Sequence, residues 1–381
     1  MEKELLQQSK SWLKDALAYV KEKTDENLPV FRNTFPAPNS ENLIYPQWEN
    51  VEWTPGFYTG MLWLLYEVTK DQKYLEALEP LLATFRTRLE EDTTLETHDI
   101  GFLYSLSTLA GYKVMGDERY LEVSKRAADR LMDRYHPKAR IIQAWGNLND
   151  PAQRGRMIID CLMNLPLLYD ISAVTGGHTY YEAARNHAKQ AEAYLVREDF
   201  STYHTFYMDV DTGEPIKGTT AQGYSDQSAW ARGQAWGVYG FALSYVHTKE
   251  LSFLETAMKI ADYYLERLPE DSVPYWDLYF REGDEYRDSS AAGILACGLL
   301  EIGRHLPLTD PKKTVYEETA LRIVRSLTEN YTTKGERSNG ILKHAVYSIP
   351  HNNGVDECCI WGDYFYLEAL VRLLQPWNRY W

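Results

Sequence analysis

Residues 56–89 read GFYTGMLWLLYEVTKDQKYLEALEPLLATFRTRL. The first part, residues 56–69, consists mainly of Gly, Leu and aromatic residues with few charges, which is typical of a helix buried on most sides. In residues 71–89, Tyr74, Leu78 and Leu82 recur at helical spacing, while charged residues take the other face. This stretch therefore predicts a buried helix followed by an amphipathic one.

The same two kinds of helix alternate along the whole chain. Six of each kind, without a convincing run of alternating strand pattern between them, favour an all-α fold, an (α/α)6 barrel or six-hairpin toroid. Its outer ring is amphipathic, its inner ring is apolar, and we expect a single domain over residues 1–381. The amphipathic helices are predicted at residues 4–23, 71–89, 117–135, 178–196, 251–268 and 311–331. The nearly apolar helices are predicted at residues 56–69, 100–115, 160–175, 228–246, 288–306 and 360–374.

An open helical solenoid, such as a tetratricopeptide array, is the alternative architecture. The repeated helices begin at irregular intervals, however, and long loops rich in Trp, His, Asp and Gly separate them. Loops of this length and composition usually carry function. We therefore favour the closed toroid.

Composition and charge exclude several classes of partner. The net charge of −15 argues against nucleic acid and anionic membranes, because both need a basic surface. The N-terminus lacks the apolar run of a secretion signal, and no stretch approaches the ~18 consecutive apolar residues of a membrane span. Four cysteines at unpatterned positions suit a reducing compartment. We expect a cytoplasmic monomer or weak homo-oligomer.

Polar residues stand just before every predicted inner helix. In an alternating ring, the N-termini of all inner helices lie at the same end, so these residues should converge on one funnel. They are Trp53; His98 and Asp99; Asp160; Tyr224, Ser225 and Asp226; Arg287 and Asp288; and Asp356 and Glu357.

Two of these carboxylates suit acid/base chemistry. Asp at a helix start is often only a cap worth ~1 kcal/mol, and we expect a cap or supporting role for Asp288 and Asp356. Asp160 differs, because the apolar context MIIDCLMNL would raise the pKa of its carboxyl group. With Asp99 as an ionised neighbour, it would form an acid/base pair. From these contexts alone, catalysis and capping are equally supported.

Further candidates lie around the fourth inner helix. WARGQAW places Arg232 and Trp236 four residues apart on one helix face. There Arg232 offers hydrogen-bond donors to a carboxylate, and Trp236 offers a stacking surface. An arginine packed among core aromatics is the alternative. His204 and Gln222 precede this helix and are either ligands or loop residues. The further ligands of a metal phosphohydrolase do not accompany His98 and Asp99, so we predict no catalytic metal and no cofactor.

The motifs together resemble the unsaturated glucuronyl hydrolases of glycoside hydrolase family 88 over nearly the full length. The matching strings are WTPGFYTG at residue 53, HDIGF at 98, AWG at 144, IIDCLMNLPLL at 158, the His204 region, QGYSDQSAWARGQAW at 222 and DECCIWGDYFY at 356. The ending of WARGQAW favours this family over the unsaturated rhamnogalacturonyl hydrolases, which are the nearest alternative.

The resemblance implies an enzyme that removes a 4,5-unsaturated uronic acid from oligosaccharides made by polysaccharide lyases. It implies hydration of the C4=C5 enol ether, with Asp160 as the proton donor and Asp99 as its partner carboxylate. It also implies a set of sugar-binding residues: Trp53, His98, Trp145, His204, Gln222, Arg232 and Trp236.

One segment departs from the pattern of family members that accept sulfated substrates. Where those members resemble one another in Ser-x-x-Ser-x-Lys, this chain has Ser348, His351 and Asn353. Because the lysine is missing, we expect these residues to contact an unsulfated substrate.

Two other functional classes remain open from the residues alone. A sugar epimerase on the same toroid would need paired histidines instead of paired aspartates. A non-catalytic toroid that binds carbohydrate in an aromatic groove would not need Asp99 or Asp160, and fold alone does not separate these functions.

Overall fold

The computed structural model describes residues 2–381, with side chains from residue 11 onward. Its helices alternate between the two predicted kinds. The outer helices are α1 (Glu2–Asn27), α3 (Lys73–Glu90), α6 (Glu118–Met132), α8 (His178–Gln190), α10 (Leu251–Leu265) and α12 (Pro311–Asn330). The inner helices are α2 (Pro55–Thr69), the consecutive pair α4 (Ile100–Tyr104) and α5 (Ala110–Met115), α7 (Leu165–Thr175), α9 (Ala231–Thr248), α11 (Ser289–His305) and α13 (Ile360–Leu374).

The inner helices form a closed ring. Going along the chain, α2 contacts α4, α4 contacts α7, α7 contacts α9, α9 contacts α11 and α11 contacts α13. The last inner helix, α13, contacts the first, α2. This contact closes the ring, so the predicted (α/α)6 toroid is confirmed and the open solenoid is wrong.

Burial separates the two rings as predicted. Every residue of α2 from Pro55 to Leu65 is buried, whereas α3 buries one face, which includes Tyr74, Leu78 and Phe85. A contiguous hydrophobic core extends from Leu13 to Trp381. This supports one domain over residues 1–381, which stays a prediction. No helix in the described part of the chain is both long enough and apolar enough to span a membrane.

The second inner helix contains a π-helical turn at Ser105–Leu109, between α4 and α5. The hydroxyl of Ser107 donates to the carbonyl of Leu103 at 2.6 Å, and the indole N–H of Trp63 donates to the carbonyl of Ser107 at 2.9 Å. Side-chain donors thus bind carbonyl oxygens that would accept backbone hydrogen bonds in a regular helix. Such competition is a usual cause of a local change in helix geometry.

Short antiparallel strands, which the sequence did not predict, lie in the loops that lead to the inner helices. Each has two to five residues, too few for a period-two pattern to be recognised. They are β1 (Phe35–Pro36), β2 (Gln47–Trp48), β3 (Tyr135–His136), β4 (Ile141–Ile142), β5 (Arg156–Ile158), β6 (Thr205–Met208), β7 (Pro215–Thr219), β8 (Ala345–Ser348) and β9 (Asn353–Glu357).

Glycines permit close packing inside the ring. A Cβ atom at Gly240 in α9 would lie 2.3 Å from Cβ of Leu162, in the turn that precedes α7. The same atom at Gly237, one turn earlier, would meet only Ile260 and Thr202 at 3.5 Å, an ordinary contact distance.

We expect Gly240→Ala to lower the free energy of unfolding by about 1–3 kcal/mol, because the added methyl group overpacks the ring. Gly237→Ala is the matched control and should be neutral or stabilising, since Ala favours a helix by up to about 1 kcal/mol over Gly. Urea unfolding measures both. Equal stabilities of the two variants would contradict this account of the ring.

Candidate active site

Asp99 directly precedes α4 and has a side chain that is free of a capping role. Although it occupies the N-cap position, its carboxylate accepts no hydrogen bond from the backbone of the first turn. It accepts a hydrogen bond from the hydroxyl of Thr97 at 2.7 Å, and Nε2 of His98 lies 3.4 Å from its Oδ1 atom. Its side chain is 17% exposed, so the carboxylate still reaches the funnel.

Asp160 lies in a 3₁₀ turn, Ile159–Met163, just before α7. The sequence predicted that a helix begins here, but the regular helix starts at Leu165. One carboxylate oxygen of Asp160, Oδ1, is buried and has no hydrogen-bond partner within residues 11–381. A buried carboxyl oxygen without a donor favours the protonated form of the group.

Asn164 joins the two carboxylate-bearing segments. Its side-chain carbonyl accepts a hydrogen bond from the backbone N–H of Phe102 at 2.6 Å, and its amide nitrogen lies 3.4 Å from the carbonyl oxygen of Asp160. A Cβ atom at Gly101 would lie 2.3 Å from Cα of Asn164. Glycine at position 101 is therefore required for the close approach of the segment that carries Asp99 to the segment that carries Asp160.

The environments of the two carboxyl groups raise both pKa values. Burial raises the pKa of Asp99 to about 6, although hydrogen bonds from Thr97 and Asn164 oppose the shift. Burial raises the pKa of Asp160 to about 7; the positive charge of Arg232 opposes this shift and the negative charge of Asp99 adds to it. Both shifts bring the pKa of a carboxyl group toward neutral pH, so a proton can be held within this pair.

Arg232 is held inside the protein by several acceptors. Its guanidinium group donates to Oε1 of Gln222 and to the carbonyl of Tyr347, both at 2.7 Å, and also to the carbonyl of Val346. It lies 3.5 Å from the carboxylate of Asp288. The side chain is about 2% exposed, so Arg232 orients Gln222 and the β8–β9 hairpin and places a positive charge near Asp160.

His204 is a neutral donor whose backbone carbonyl accepts a hydrogen bond from the N–H of Ile159, the residue before Asp160, at 3.1 Å. Its Nδ1 atom accepts hydrogen bonds from the backbone N–H groups of Ala221 at 2.9 Å and Gln222 at 3.3 Å. The proton of the neutral ring is therefore on Nε2, which is buried and has no partner among the described side chains and backbone. Burial lowers the pKa of His204 to about 3, so the ring stays uncharged.

His98 is also buried and neutral, because burial lowers its pKa to about 3. Its Nδ1 atom has no hydrogen-bond partner in the part of the chain with described side chains. Two uncharged imidazoles thus lie near the carboxyl pair and do not favour its ionisation.

Aromatic rings form the floor of the site. Trp53 packs on Trp361 with ring centroids 5.0 Å apart, and its indole N–H donates to the hydroxyl of Tyr347 at 2.9 Å. Trp236 lies deeper, at 0% exposure, and packs against Phe102 with centroids 5.2 Å apart. The indole N–H of Trp236 lacks a partner among the residues whose side chains are described.

Trp145 lies at the rim, 36% exposed, and the guanidinium group of Arg156 stacks on it at 4.8 Å. Nε of Arg156 donates to the hydroxyl of Tyr207 at 3.0 Å. The ring of Trp145 also lies 6.4 Å from that of His204. A flat aromatic surface beside a neutral donor is a suitable wall for a sugar ring.

The β8–β9 hairpin forms the opposite wall and carries the three residues predicted from the sulfate-site departure. The hydroxyl of Ser348 and Nδ1 of His351 are 2.7 Å apart. Asn353 lines a cavity of about 220 Å³ whose other walls include Glu41, Glu52 and Tyr347.

A cap or a supporting role was expected for Asp288 and Asp356. Asp288 caps α11 by accepting hydrogen bonds from the backbone N–H groups of Ser290 and Ala291. Asp356 is not a cap, because it lies in β9 and its carboxylate pairs with His344 at 2.6 Å; its supporting role stays a prediction. The cap position of α13 belongs to Cys359, because the strand continues beyond Asp356.

Three residues escaped the sequence analysis: Asn164, Arg156 and Glu52. Asn164 follows Asp160 by four residues, a spacing that places both on one side of a helical turn, and this was the only local signal. Arg156 and Glu52 gave no local signal, because the side chains that lie near them, Tyr207 and Asn353, belong to distant loops. Within residues 11–381, no group of three or more His, Cys, Asp or Glu side chains is arranged to hold a metal ion.

Fold and site together define a helical toroid in which two largely desolvated carboxyl groups lie among aromatic side chains. A sequence model of Glycosyl Hydrolase Family 88 matches residues 30–367. The unsaturated chondroitin disaccharide hydrolase of Streptococcus pneumoniae is 44% identical over 357 residues, 93% of this chain and 90% of the relative.

Solved structures agree with the sequence comparison. The crystal structure of unsaturated glucuronyl hydrolase from Streptococcus agalactiae has a TM-score of 0.95 and 43% identity, over 98% of this chain and 94% of that one. A related structure with dGlcA-Glc-Rha-Glc has a TM-score of 0.92 and 44% identity, over 94% of this chain and 96% of the other. The chain belongs to glycosyl hydrolase family 88.

Replacing Asp99 by Asn should lower the pKa of Asp160, because it removes a negative charge that disfavours ionisation of the neighbouring carboxyl group. Carbon-13 NMR of labelled aspartate carboxyl groups measures the titration. Asp15→Asn, which makes the same change at an exposed position of the outer helix α1, should leave the pKa of Asp160 unchanged. Identical titration in Asp99→Asn and wild type would show that the two groups do not interact.

Proposed function

We propose that the chain is an unsaturated glucuronyl hydrolase. It acts on oligosaccharides with a 4,5-unsaturated uronic acid at the non-reducing end and releases that residue by hydration. The observation that carries this proposal is the pair of desolvated carboxyl groups on neighbouring segments, whose pKa values burial raises toward neutral pH. An enol ether needs a proton donor and an activated water, which this pair supplies. The two relatives named as hydrolases of such substrates add support.

The reaction begins with the proton of Asp160. This proton passes to C4 of the sugar, and the electron pair of the C4=C5 bond forms the new C4–H bond. Water adds its oxygen to C5, and its surplus proton returns to the Asp160 carboxylate. The product is a hemiketal at C5, which opens by breaking the bond between C5 and the ring oxygen. C1 then carries a hemiacetal, which breaks down to an aldehyde and the free hydroxyl of the aglycone.

Asp99 assists as the ionised partner. Its negative charge raises the pKa of Asp160 and so keeps the proton available. Asn164 is a positioning residue, because it hydrogen bonds to the backbone of Phe102 and lies between the two carboxylate-bearing segments. His98 and His204 remain uncharged, so neither adds a positive charge that would lower the pKa of Asp160.

Five residues are proposed to hold the sugar. His204 donates from Nε2, and Trp236 donates from its indole N–H. The amide nitrogen of Gln222 is the donor that faces the substrate, since Arg232 occupies its oxygen. Trp53 and Trp145 supply flat apolar surfaces for the sugar ring.

Asp160→Asn should reduce turnover about 10²- to 10⁴-fold while leaving substrate binding, because an amide does not donate the required proton. The assay follows loss of the ultraviolet absorbance of the C4=C5 bond with unsaturated chondroitin disaccharide. Asp15→Asn is the matched control, at an exposed position of the outer helix α1, and should retain full activity. An active Asp160→Asn enzyme would remove this residue from the proton-donor role.

We also propose that the enzyme prefers unsulfated substrates. Asn353 stands where a lysine is expected in family members that accept sulfate, and the adjoining cavity of about 220 Å³ is lined by Glu41 and Glu52. Burial raises the pKa of Glu52 and the negative charge of Asp99 adds to this shift, so the cavity lies within electrostatic range of the carboxyl pair. A sulfate group in this cavity would meet like charges, which costs binding energy.

Wild-type enzyme should therefore turn over unsulfated chondroitin disaccharide roughly five- to tenfold faster than the 6-sulfated form. The double variant Asn353→Lys, Glu52→Gln should narrow this ratio, because it adds a cation and removes an anion from the cavity. Asn353→Lys combined with Glu49→Gln places the second change at an exposed residue outside the cavity, and should narrow the ratio less. Faster turnover of the sulfated disaccharide by wild type would overturn the preference.

Location and assembly stay predictions. All four cysteines are free and buried, which fits the proposed cytoplasmic location. We keep the predictions of a monomer or weak homo-oligomer, of no nucleic-acid or membrane partner and of a reaction without a metal or cofactor.

A further inference from the structure

Three aromatic side chains form an exposed cluster at the rim, here called the aromatic ledge: Tyr224, Tyr279 and Phe280. Tyr224 is 53% exposed and Tyr279 is 65% exposed. Their rings are stacked, with centroids 5.0 Å apart and an interplanar angle of 22°. Phe280 packs edge-on against both rings, at 5.0 Å and 5.3 Å. The exposed rings present a flat apolar surface to solvent.

The ledge is held in place by one buried carboxylate. Asp277, at 0% exposure, accepts hydrogen bonds from the backbone N–H groups of Tyr224 at 2.9 Å and Tyr279 at 3.0 Å. It also accepts one from the hydroxyl of Ser228 at 2.7 Å. The loop before α9 and the loop before α11 are thus tied together, and the aromatic surface is preorganised. A preorganised surface loses little conformational entropy when a ligand binds.

The ledge is continuous with the proposed active site. Asp277, which holds it, pairs along the backbone with Trp230. The indole of Trp230 lies 4.6 Å from the ring of His204 and 4.4 Å from the guanidinium group of Arg232. Gln222, which receives a hydrogen bond from Arg232, is two residues from Tyr224. Tyr224 of the aromatic ledge and Gln222 thus lie on the same loop, which Arg232 and Asp277 both contact.

We propose that the aromatic ledge is an outer sugar-binding site, which stacks a pyranose ring on the reducing side of the substrate, beyond the first two sugars. The apolar faces of pyranose rings pack on Tyr and Trp side chains, whose polar tips also suit sugar hydroxyls. This inference rests on the proposed function, because the occupant is the remainder of the same oligosaccharide. Binding at the aromatic ledge makes the enzyme prefer longer oligosaccharides, in addition to its preference for the sugar at the cleaved bond.

The test compares unsaturated hyaluronan disaccharide with unsaturated hyaluronan tetrasaccharide, which have the same cleaved linkage and differ in length. Tyr224→Ala and Tyr279→Ala should lower kcat/KM for the tetrasaccharide about five- to tenfold, mainly through KM, and leave the disaccharide unchanged. Tyr224→Trp should restore the value for the tetrasaccharide. Tyr286→Ala is the control, since Tyr286 is 47% exposed on the same loop but lies outside the ledge.

Several outcomes would overturn the ledge as a sugar site. Equal losses on both substrates would make these tyrosines supports of the inner site, and no loss on either would leave them without a role in binding. A change of oligomeric state with unchanged kinetics would make the ledge a contact between two copies of the chain.

Calorimetry with Asp160→Asn separates this inference from the proposed function, because it requires no turnover. Tighter binding of the tetrasaccharide than of the disaccharide, abolished by Tyr224→Ala, would support the ledge even if the hydration chemistry failed. Equal affinity of Asp160→Asn for the two lengths would overturn it.

Discussion

The structure depends on the near-complete burial of its inner helices. A helix surrounded by other helices tolerates polar side chains mainly at its ends, because a buried polar group without a partner is costly. The inner helices begin at one end of the ring, where loops and short strands supply partners and leave room for a ligand. Asp99 and Asp160 occupy two such starts, next to α4 and α7. The chemistry therefore gathers where the packing of the ring permits it.

Close packing and electrostatics act together at this end of the ring. Gly101 allows the first turn of α4 to approach Asn164, and this contact brings two desolvated carboxyl groups within electrostatic range of each other. Desolvation alone would raise both pKa values. Arg232 limits the rise for Asp160, while Thr97 and Asn164 limit it for Asp99. The result is a pair of carboxyl groups whose pKa values lie closer to neutral pH than those of free carboxyl groups, which suits general acid/base chemistry.

The loops decide what the ring can bind. Arg232 connects the wall formed by Gln222 with the wall formed by the β8–β9 hairpin, through carbonyls of the hairpin and the amide of Gln222. At the rim, Asp277 likewise connects the loops before α9 and α11, by accepting hydrogen bonds from the backbone of both. Each of these two groups satisfies several backbone or amide groups at once. Long loops are thereby made rigid enough to present aromatic surfaces to a sugar.

The sequence by itself determined the ring and indicated the two carboxylates as candidates. Helical periodicity is a local property, so alternating amphipathic and apolar segments reveal twelve helices, and a carboxylate such as Asp160 within an apolar run reveals desolvation. Only the tertiary structure showed that Asn164 lies against Gly101, that Asp356 belongs to a strand, and that Tyr224 stacks on Tyr279. These depend on contacts between segments far apart in the chain, and no local pattern encodes which distant side chains will meet.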